Sequence, residues 1–105
     1  MIRDYKIIAV DFDQTLFFTD FPEIYHPKME VINKVKEEID KGNKIILWTC
    51  RCGEFLEDAI EACKEYGIYF DAINENLPEI VKNYKTDSRK IVADEYWDDK
   101  AIRIN

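Results

Sequence analysis

Carboxylates are the first groups in this chain with the types and spacing for chemistry. Asp11-Phe12-Asp13-Gln14-Thr15 sets two acids and a hydroxyl within one short run, and Asp98-Asp99 sets two more acids side by side. Thr49-Cys50-Arg51 and Lys90 lie between them. Crowded acids repel one another and raise one another's pKa values, which a divalent cation relieves. Hard oxygen donors with open positions suit Mg2+, which keeps several waters and binds substrate phosphate. A carboxylate on such a metal is a nucleophile toward phosphorus, forming an aspartyl-phosphate. A second carboxylate two residues on donates a proton to the leaving group and then takes one from water. A lysine and a threonine hydroxyl stabilise the transferring oxygens. The indicated chemistry is phosphoryl transfer.

These residues act together only if the fold carries them to one place. Lys6 to Val10 is a short β-branched run, as in a strand buried on both faces, and it stops abruptly at Asp11. Met29, Ile32, Val35 and Ile39 recur at helical steps, with Pro27 suited to the first turn and Gly42 to the position past the end. Lys44 to Thr49 reads as a second strand. Glu54 to Tyr66 reads as a second helix, with Phe55, Leu56, Ala59, Ile60 and Cys63 on its inner face and Gly67 as its stop. Ile68 to Ile73 is a third, shorter strand, and Pro78 to Lys82 a helical turn. Lys90 to Ala93 and Tyr96-Trp97 read as pieces of a further strand running into Asp98-Asp99, and Ala101 to Ile104 as a last edge strand. Strands alternating with helices predict a parallel α/β sheet. Ligands of such sheets sit beyond the carboxyl ends of the strands, where the acids and Thr49 fall, with Lys90 at a distance before the last acidic pair and expected to converge on the same edge.

Composition bounds the rest. The chain has 105 residues, the length of one domain, read here as residues 1–105. A hydrophobic share of 47% argues against disorder. Acids outnumber bases 22 to 15, for a net charge of −7, so a broad basic nucleic-acid surface is not expected. Lys28, Arg51, Lys82, Lys85, Arg89 and Lys90 are the cations that a local phosphate-binding patch would need. No apolar run approaches the roughly 20 residues that span a bilayer. The opening residues carry Asp4 and Asp11 and do not form a signal peptide, so a cytoplasmic protein is expected. Cys50, Cys52 and Cys63 are odd in number and read as reduced, buried or half-buried thiols. With His26 the single imidazole, a structural zinc site is disfavoured. His26 reads as a helix-start residue and Asp94 as structural or surface-exposed. Asn74 and Asn76 stand either near the site or in a turn.

Asp11-Phe-Asp-Gln-Thr15 resembles the DxDxT signature of the haloacid dehalogenase (HAD) superfamily. Thr49, closing Ile45-Ile-Leu-Trp48, resembles its second motif, Lys90 its third and Asp98-Asp99 its acidic fourth. They occur in the family's order and span residues 7 to 99. The resemblance implies a Rossmann-like (HAD-like) three-layer sandwich with a mostly parallel sheet. It also implies a Mg2+-dependent phosphomonoester hydrolase (phosphatase) acting through an aspartyl-phosphate. It makes Asp11 the nucleophile and a metal ligand, and Asp13 the general acid/base with its backbone carbonyl on the metal. Thr49 binds the phosphoryl group, Lys90 neutralises charge, and Asp98 or Asp99, with Asp99 favoured, completes the metal site. Arg51 suits substrate phosphate and a neighbouring carboxylate equally. Lys85 is a rival to Lys90, but it sits among polar residues instead of opening an apolar segment. Gln14 replaces a common glycine and is expected to adopt ordinary dihedrals.

Leu16 to His26 is too short for a cap domain, and Cys50 to Arg89 is consumed by the sheet's own connections, so a capless member is expected. Leu47-Trp-Thr-Cys-Arg51, Asn74-Glu-Asn76 and Ala93-Asp-Glu-Tyr-Trp-Asp-Asp99 resemble small capless HAD proteins of bacteria and phages. An open site takes a phosphorylated small molecule, takes the exposed phosphate of a larger one, or is closed by a second subunit. Phe17 and Phe18 cannot both point inward from an extended chain, which favours a subunit contact. Two alternatives stand beside the phosphatase. One is a receiver-like phosphoacceptor, against which the order of the acids counts. The other is a non-catalytic phosphoryl-binding module on the same type of fold.

Overall fold

The computed structural model describes residues 3–105. In chain order the elements are β1 (Ile7–Val10), β2 (Phe17–Asp20), β3 (Glu23–Pro27), α1 (Met29–Asp40), β4 (Lys44–Leu47), α2 (Gly53–Lys64), β5 (Ala72–Ile73), α3 (Pro78–Tyr84) and β6 (Glu95–Trp97). Four strands form one sheet in the order β5-β4-β1-β6, and each neighbouring pair is parallel. This is a three-layer, Rossmann-like α/β sandwich.

The pleat divides the core. Ile8, Val10, Ile45 and Leu47 point to one face, where they meet Ile32 and Val35 of α1 and Ala59 and Cys63 of α2. Ile7, Ala9 and Ile46 point to the other, against Leu77, Ile80 and Ile91 around α3. All four residues of β1 are buried, as befits an inner strand covered on both faces, and it reads as a continuous apolar run. Each fully buried Ile or Leu contributes roughly 1.5–3 kcal/mol.

Several boundaries differ from the sequence reading, each for a local reason. Pro27 closes β3 instead of opening a helix, and His26 lies exposed on that strand with its ring 5.1 Å from Phe18. Phe55 is half-exposed on α2 instead of facing the core. The third parallel strand shrinks to Ala72–Ile73, because the Ile68 N–H still closes the end of α2 by donating to the Cys63 carbonyl. Its alignment on β4 starts only where the Asp71 N–H donates to Ile45 O at 2.8 Å. Lys90 to Ala93 pairs with no strand, since the Val92 N–H is taken by the Asn76 side chain. Ala101 to Ile104 finds no partner strand, and Ile102 and Ile104 are exposed.

Leu16 to His26 is no domain, but it is structured. β2 and β3 pair antiparallel as a hairpin, irregular between Phe17 and Thr19. Phe17 turns into the core and Phe18 out to solvent, the alternation expected of an extended segment. Among the described residues, no helix is long and apolar enough to cross a membrane.

Candidate active site

From β1 the chain steps outward through β4 to β5, then returns to lay β6 on the opposite side of β1. That reversal opens a crevice at the carboxyl ends of β1 and β6, the place where open α/β sheets bind ligands. The register Val10↔Trp97 sets the first and last acidic motifs against each other there. The Asp11 N–H donates to Trp97 O at 2.9 Å. Carboxylate oxygens of Asp11, Asp98 and Asp99 all lie within 4.8 Å of one another. Buried Thr15 stitches the cluster: its Oγ1 lies 3.3 Å from Asp11 Oδ2 and 3.4 Å from Asp99 Oδ1, and it accepts the Asp99 N–H at 3.1 Å. Burial pushes the Asp11 carboxyl up to about 6, and the charges of Asp98 and Asp99 add to that shift. Hydrogen bonds from the Phe12 backbone and Thr15 oppose it and are outweighed. A set of carboxylate oxygens in this mutual strain fits a hard divalent cation such as Mg2+.

Asp13 leaves this cluster and faces Arg51. The Arg51 Nε donates to Asp13 Oδ2 at 3.0 Å and Oδ1 at 3.3 Å, and Nη2 donates to Oδ1 at 2.7 Å. Thr19 Oγ1 donates to the same Oδ1 at 2.8 Å. Burial raises the Asp13 carboxyl, but the hydrogen bonds from Arg51 and Thr19 and the guanidinium charge win, holding it below the usual carboxylate range. The two acids of one motif are thus driven in opposite directions by their surroundings.

Of the two partners open to Arg51, the structure selects the carboxylate. Arg51 is 2% exposed, the largest fully buried side chain of the fold. Nη1 donates to Pro22 O and Phe55 O, each at 3.3 Å, and Nη2 reaches Pro22 O as well, at 3.3 Å. A guanidinium has five N–H donors, and these contacts occupy all of them. None remains for a substrate phosphate, so the substrate-binding role expected of Arg51 is corrected.

Thr49 lies just past β4, beside β1, and its place is fixed by donation of its N–H to Asn74 Oδ1 at 2.8 Å. Its Oγ1 accepts the Arg51 N–H at 3.1 Å. Asn74 adopts a left-handed φ of 53° to make this contact, which an Asn tolerates. Lys90 is exposed, its Nζ 6.0 Å from the centre of the Tyr96 ring, and it forms no ion pair with Asp11 among the described residues. The loop that carries it hangs on buried Asn76, whose Nδ2 donates to Asp87 Oδ1 at 2.9 Å and Ser88 O at 3.2 Å. Asn76 Oδ1 accepts the Val92 N–H at 2.7 Å. Lys85 instead closes α3 in a left-handed conformation.

Gln14 is a further correction. Its φ is 63°, left-handed as a glycine would be, and not an ordinary dihedral. Two contacts hold it there: the Thr19 N–H donates to Gln14 Oε1 at 2.7 Å, and Lys28 Nζ donates to Gln14 O at 2.9 Å. Cys50 and Cys52 are exposed, and only Cys63 is buried, its thiol pushed up to about 12 by burial.

A cavity of about 490 Å3 opens on the acid cluster, walled in part by Lys28, Lys34, Tyr96 and Trp97. Four residues given no site role by the sequence act on the named ones: Thr15 on the acids, Thr19 on Asp13, Asn74 on Thr49 and Asn76 on the Lys90 loop. Thr15 had a signal in the Asp-x-Asp-x-Thr spacing, whereas the asparagines had only their place after the third strand.

Fold and site together define a parallel α/β sandwich with a carboxylate cluster at its switch point. A conserved protein coded by a locus of Bacteroides thetaiotaomicron has a solved structure similar to this one. It matches with a TM-score of 0.83 and 34% identity over 94% of this chain and 79% of that one. The chain belongs to the same family as that protein. No family model and no curated protein matches the chain.

Proposed function

We propose that this chain is a Mg2+-dependent phosphomonoester hydrolase of the haloacid dehalogenase type, acting through an aspartyl-phosphate on Asp11. The observation that carries the reading is the meeting of Asp11, Asp98 and Asp99 within 4.8 Å at the switch point, with Thr49 on the neighbouring strand end. Asp11, Asp98 and Asp99, with the Asp13 backbone carbonyl, are the groups that would hold Mg2+, which when bound neutralises the acids and the phosphoryl oxygens.

The remaining chemistry belongs to the chain. Asp11 attacks phosphorus, forming a new P–O bond as the bond to the leaving oxygen breaks. Asp13 is assigned the proton transfers: it must take up a proton against the pull of Arg51 before giving it to that oxygen, and it takes one back from the water that attacks the aspartyl-phosphate as inorganic phosphate departs. Thr49 and Lys90 are assigned to the phosphoryl oxygens, Lys90 from the loop that Asn76 ties down. The site is open, so the substrate is a phosphorylated small molecule or the exposed phosphate of a larger one. Phe18 and Phe21, both exposed on the hairpin, offer a surface to a second subunit that would close it.

Hydrolysis of p-nitrophenyl phosphate with and without Mg2+ tests this reading, with Asp11→Asn and Asp13→Asn alongside. Metal-dependent release is expected to be lost in both variants, in Asp11→Asn with the nucleophile and in Asp13→Asn with the base that hydrolysis of the aspartyl-phosphate needs. A chain that binds neither metal nor beryllofluoride overturns it. The non-catalytic alternative draws on one observation, the engagement of Asp13 by Arg51. Beryllofluoride binding without turnover of any phosphomonoester would favour it.

A further inference from the structure

We infer that Arg51 is a positioning residue that ties the acid/base Asp13 to the β2–β3 hairpin, so that the hairpin sets where the Asp13 carboxylate stands. The inference rests on the phosphatase reading for its catalytic consequence, but its geometry stands alone. One guanidinium holds both parties: two of its nitrogens grip Asp13, and two grip Pro22 O at the hairpin tip. Its central carbon lies 5.0 Å from the ring centres of both Phe12 and Phe21, one from the loop after β1 and one from the hairpin. Phe21 packs in turn edge-on against Phe55 of α2, with ring centres 5.3 Å apart. Thr19, on β2, adds a second grip on Asp13 from the hairpin itself.

The burial of Arg51 sharpens the argument. A fully buried cation stays where its donors are satisfied, and here every donor is spent between Asp13, the hairpin and the first turn of α2. Lifting the hairpin removes the Pro22 carbonyl and the Phe21 ring together, and the guanidinium must then find new acceptors or shift. Asp13 shifts with it, because its best partner has moved. The link lies outside the Asp11, Asp98 and Asp99 cluster, so it alters the placement of the acid/base without touching the acidic ligand set.

The test compares a phosphomonoester with a good leaving group, p-nitrophenyl phosphate, and one with a poor leaving group, β-glycerophosphate. Only the second depends strongly on a well-placed proton donor. In Arg51→Met, kcat for the alkyl ester is expected to fall about tenfold to a hundredfold more than kcat for the aryl ester, with little change in either KM. Arg51→Lys, which keeps the charge and part of the donor set, should recover part of that difference. Phe21→Ala removes one of the two rings beside the guanidinium from an exposed position, so it serves even if Arg51→Met fails to fold, and it should shift the ratio in the same direction. Amide exchange reads the tie independently of activity: protection of residues 17–27 should drop in Arg51→Met and Phe21→Ala while that of β4 holds. A rise in KM for both esters with an unchanged kcat ratio would make Arg51 a substrate ligand and overturn the inference. Wild-type exchange across the hairpin in these variants overturns the tie itself. A wild-type chain that turns over neither ester and binds neither Mg2+ nor beryllofluoride overturns the phosphatase reading and the catalytic consequence with it, while faster hairpin exchange in the variants would still uphold the tie.

Discussion

Replacing Asp11 with Asn should stabilise the metal-free protein at neutral pH, although it removes the proposed nucleophile. Asp11 lies partly buried, with the carboxylates of Asp98 and Asp99 within 4.8 Å, and its pKa is pushed from the ordinary 3.8 up to about 6. Below 3.8 the carboxyl is protonated whether the chain is folded or not, and it costs nothing. Between 3.8 and about 6 the unfolded chain releases the proton that the folded chain still holds, so folding stability falls as pH rises. Above about 6 the whole loss is present. At about 1.36 kcal/mol per pH unit, the gap between the two values sets an upper bound of about 3 kcal/mol. The hydrogen bonds from Thr15 and the Phe12 backbone are already netted into that shift, and solvent screening of this half-buried carboxylate brings the figure below the bound. The net expectation for Asp11→Asn is a gain of about 1–2 kcal/mol at pH 7.5 in EDTA, a rise in Tm of about 4–10 °C for a chain of this size. At pH 4 the gain should vanish. Millimolar Mg2+ should reverse the ranking, because a cation bound only to the folded wild type adds about 2.7 kcal/mol at a hundredfold excess over Kd. Thermal melts at the two pH values, with EDTA and with Mg2+, measure all of this. A variant no more stable than wild type at pH 7.5 in EDTA, or equally stabilised at both pH values, would refute the argument that burial beside two like charges makes ionised Asp11 costly.

Two further outcomes follow from side chains outside the acid cluster. Asn76→Ala leaves the Val92 N–H without its acceptor and frees the loop bearing Lys90, so urea unfolding should show a loss of about 2–3 kcal/mol, with weaker hydrolysis in the folded fraction. Unchanged stability would mean that the Asn76 amide does not hold that loop. Lys85→Gly relieves a left-handed residue at the end of α3, φ 59°, and should raise Tm by about 2–5 °C while leaving hydrolysis unchanged, since Lys85 stands in a helix cap outside the site. A loss of activity in that variant would return Lys85 to the role assigned to Lys90.

Local pattern was enough for the sheet's frame. The runs Lys6 to Val10 and Lys44 to Thr49 are β-branched and uninterrupted because strands buried on both faces admit little else, and the alternation with helices then implies parallel pairing. Asp11, Thr49 and Asp98-Asp99 were legible for the same reason: each sits where an apolar strand ends, and parallel strands bring those ends to one edge. The short strands were not legible. Whether Ile68 extends a strand or finishes a helix depends on which carbonyl its N–H meets, and Cys63 takes it. Ala101 to Ile104 has strand composition without a neighbour to pair with.

The partner of Arg51 was decided by tertiary structure alone. A guanidinium suits a phosphate as well as a carboxylate, and 38 residues separate Arg51 from Asp13. Only the folding of the hairpin over α2 brings Pro22 and Phe21 onto the same group and uses up its donors. The split between Asp11 and Asp13 has the same origin. Two identical side chains two residues apart differ because the chain turns at Phe12 once β1 has ended, leaving Asp11 partly buried beside like charges and carrying Asp13 to an arginine. Sequence determined which chemical groups this protein carries to the edge of its sheet. Their protonation, their partners and their freedom to meet a substrate depend on distances of a few ångströms between segments far apart in the chain, and those exist only once the layers have packed.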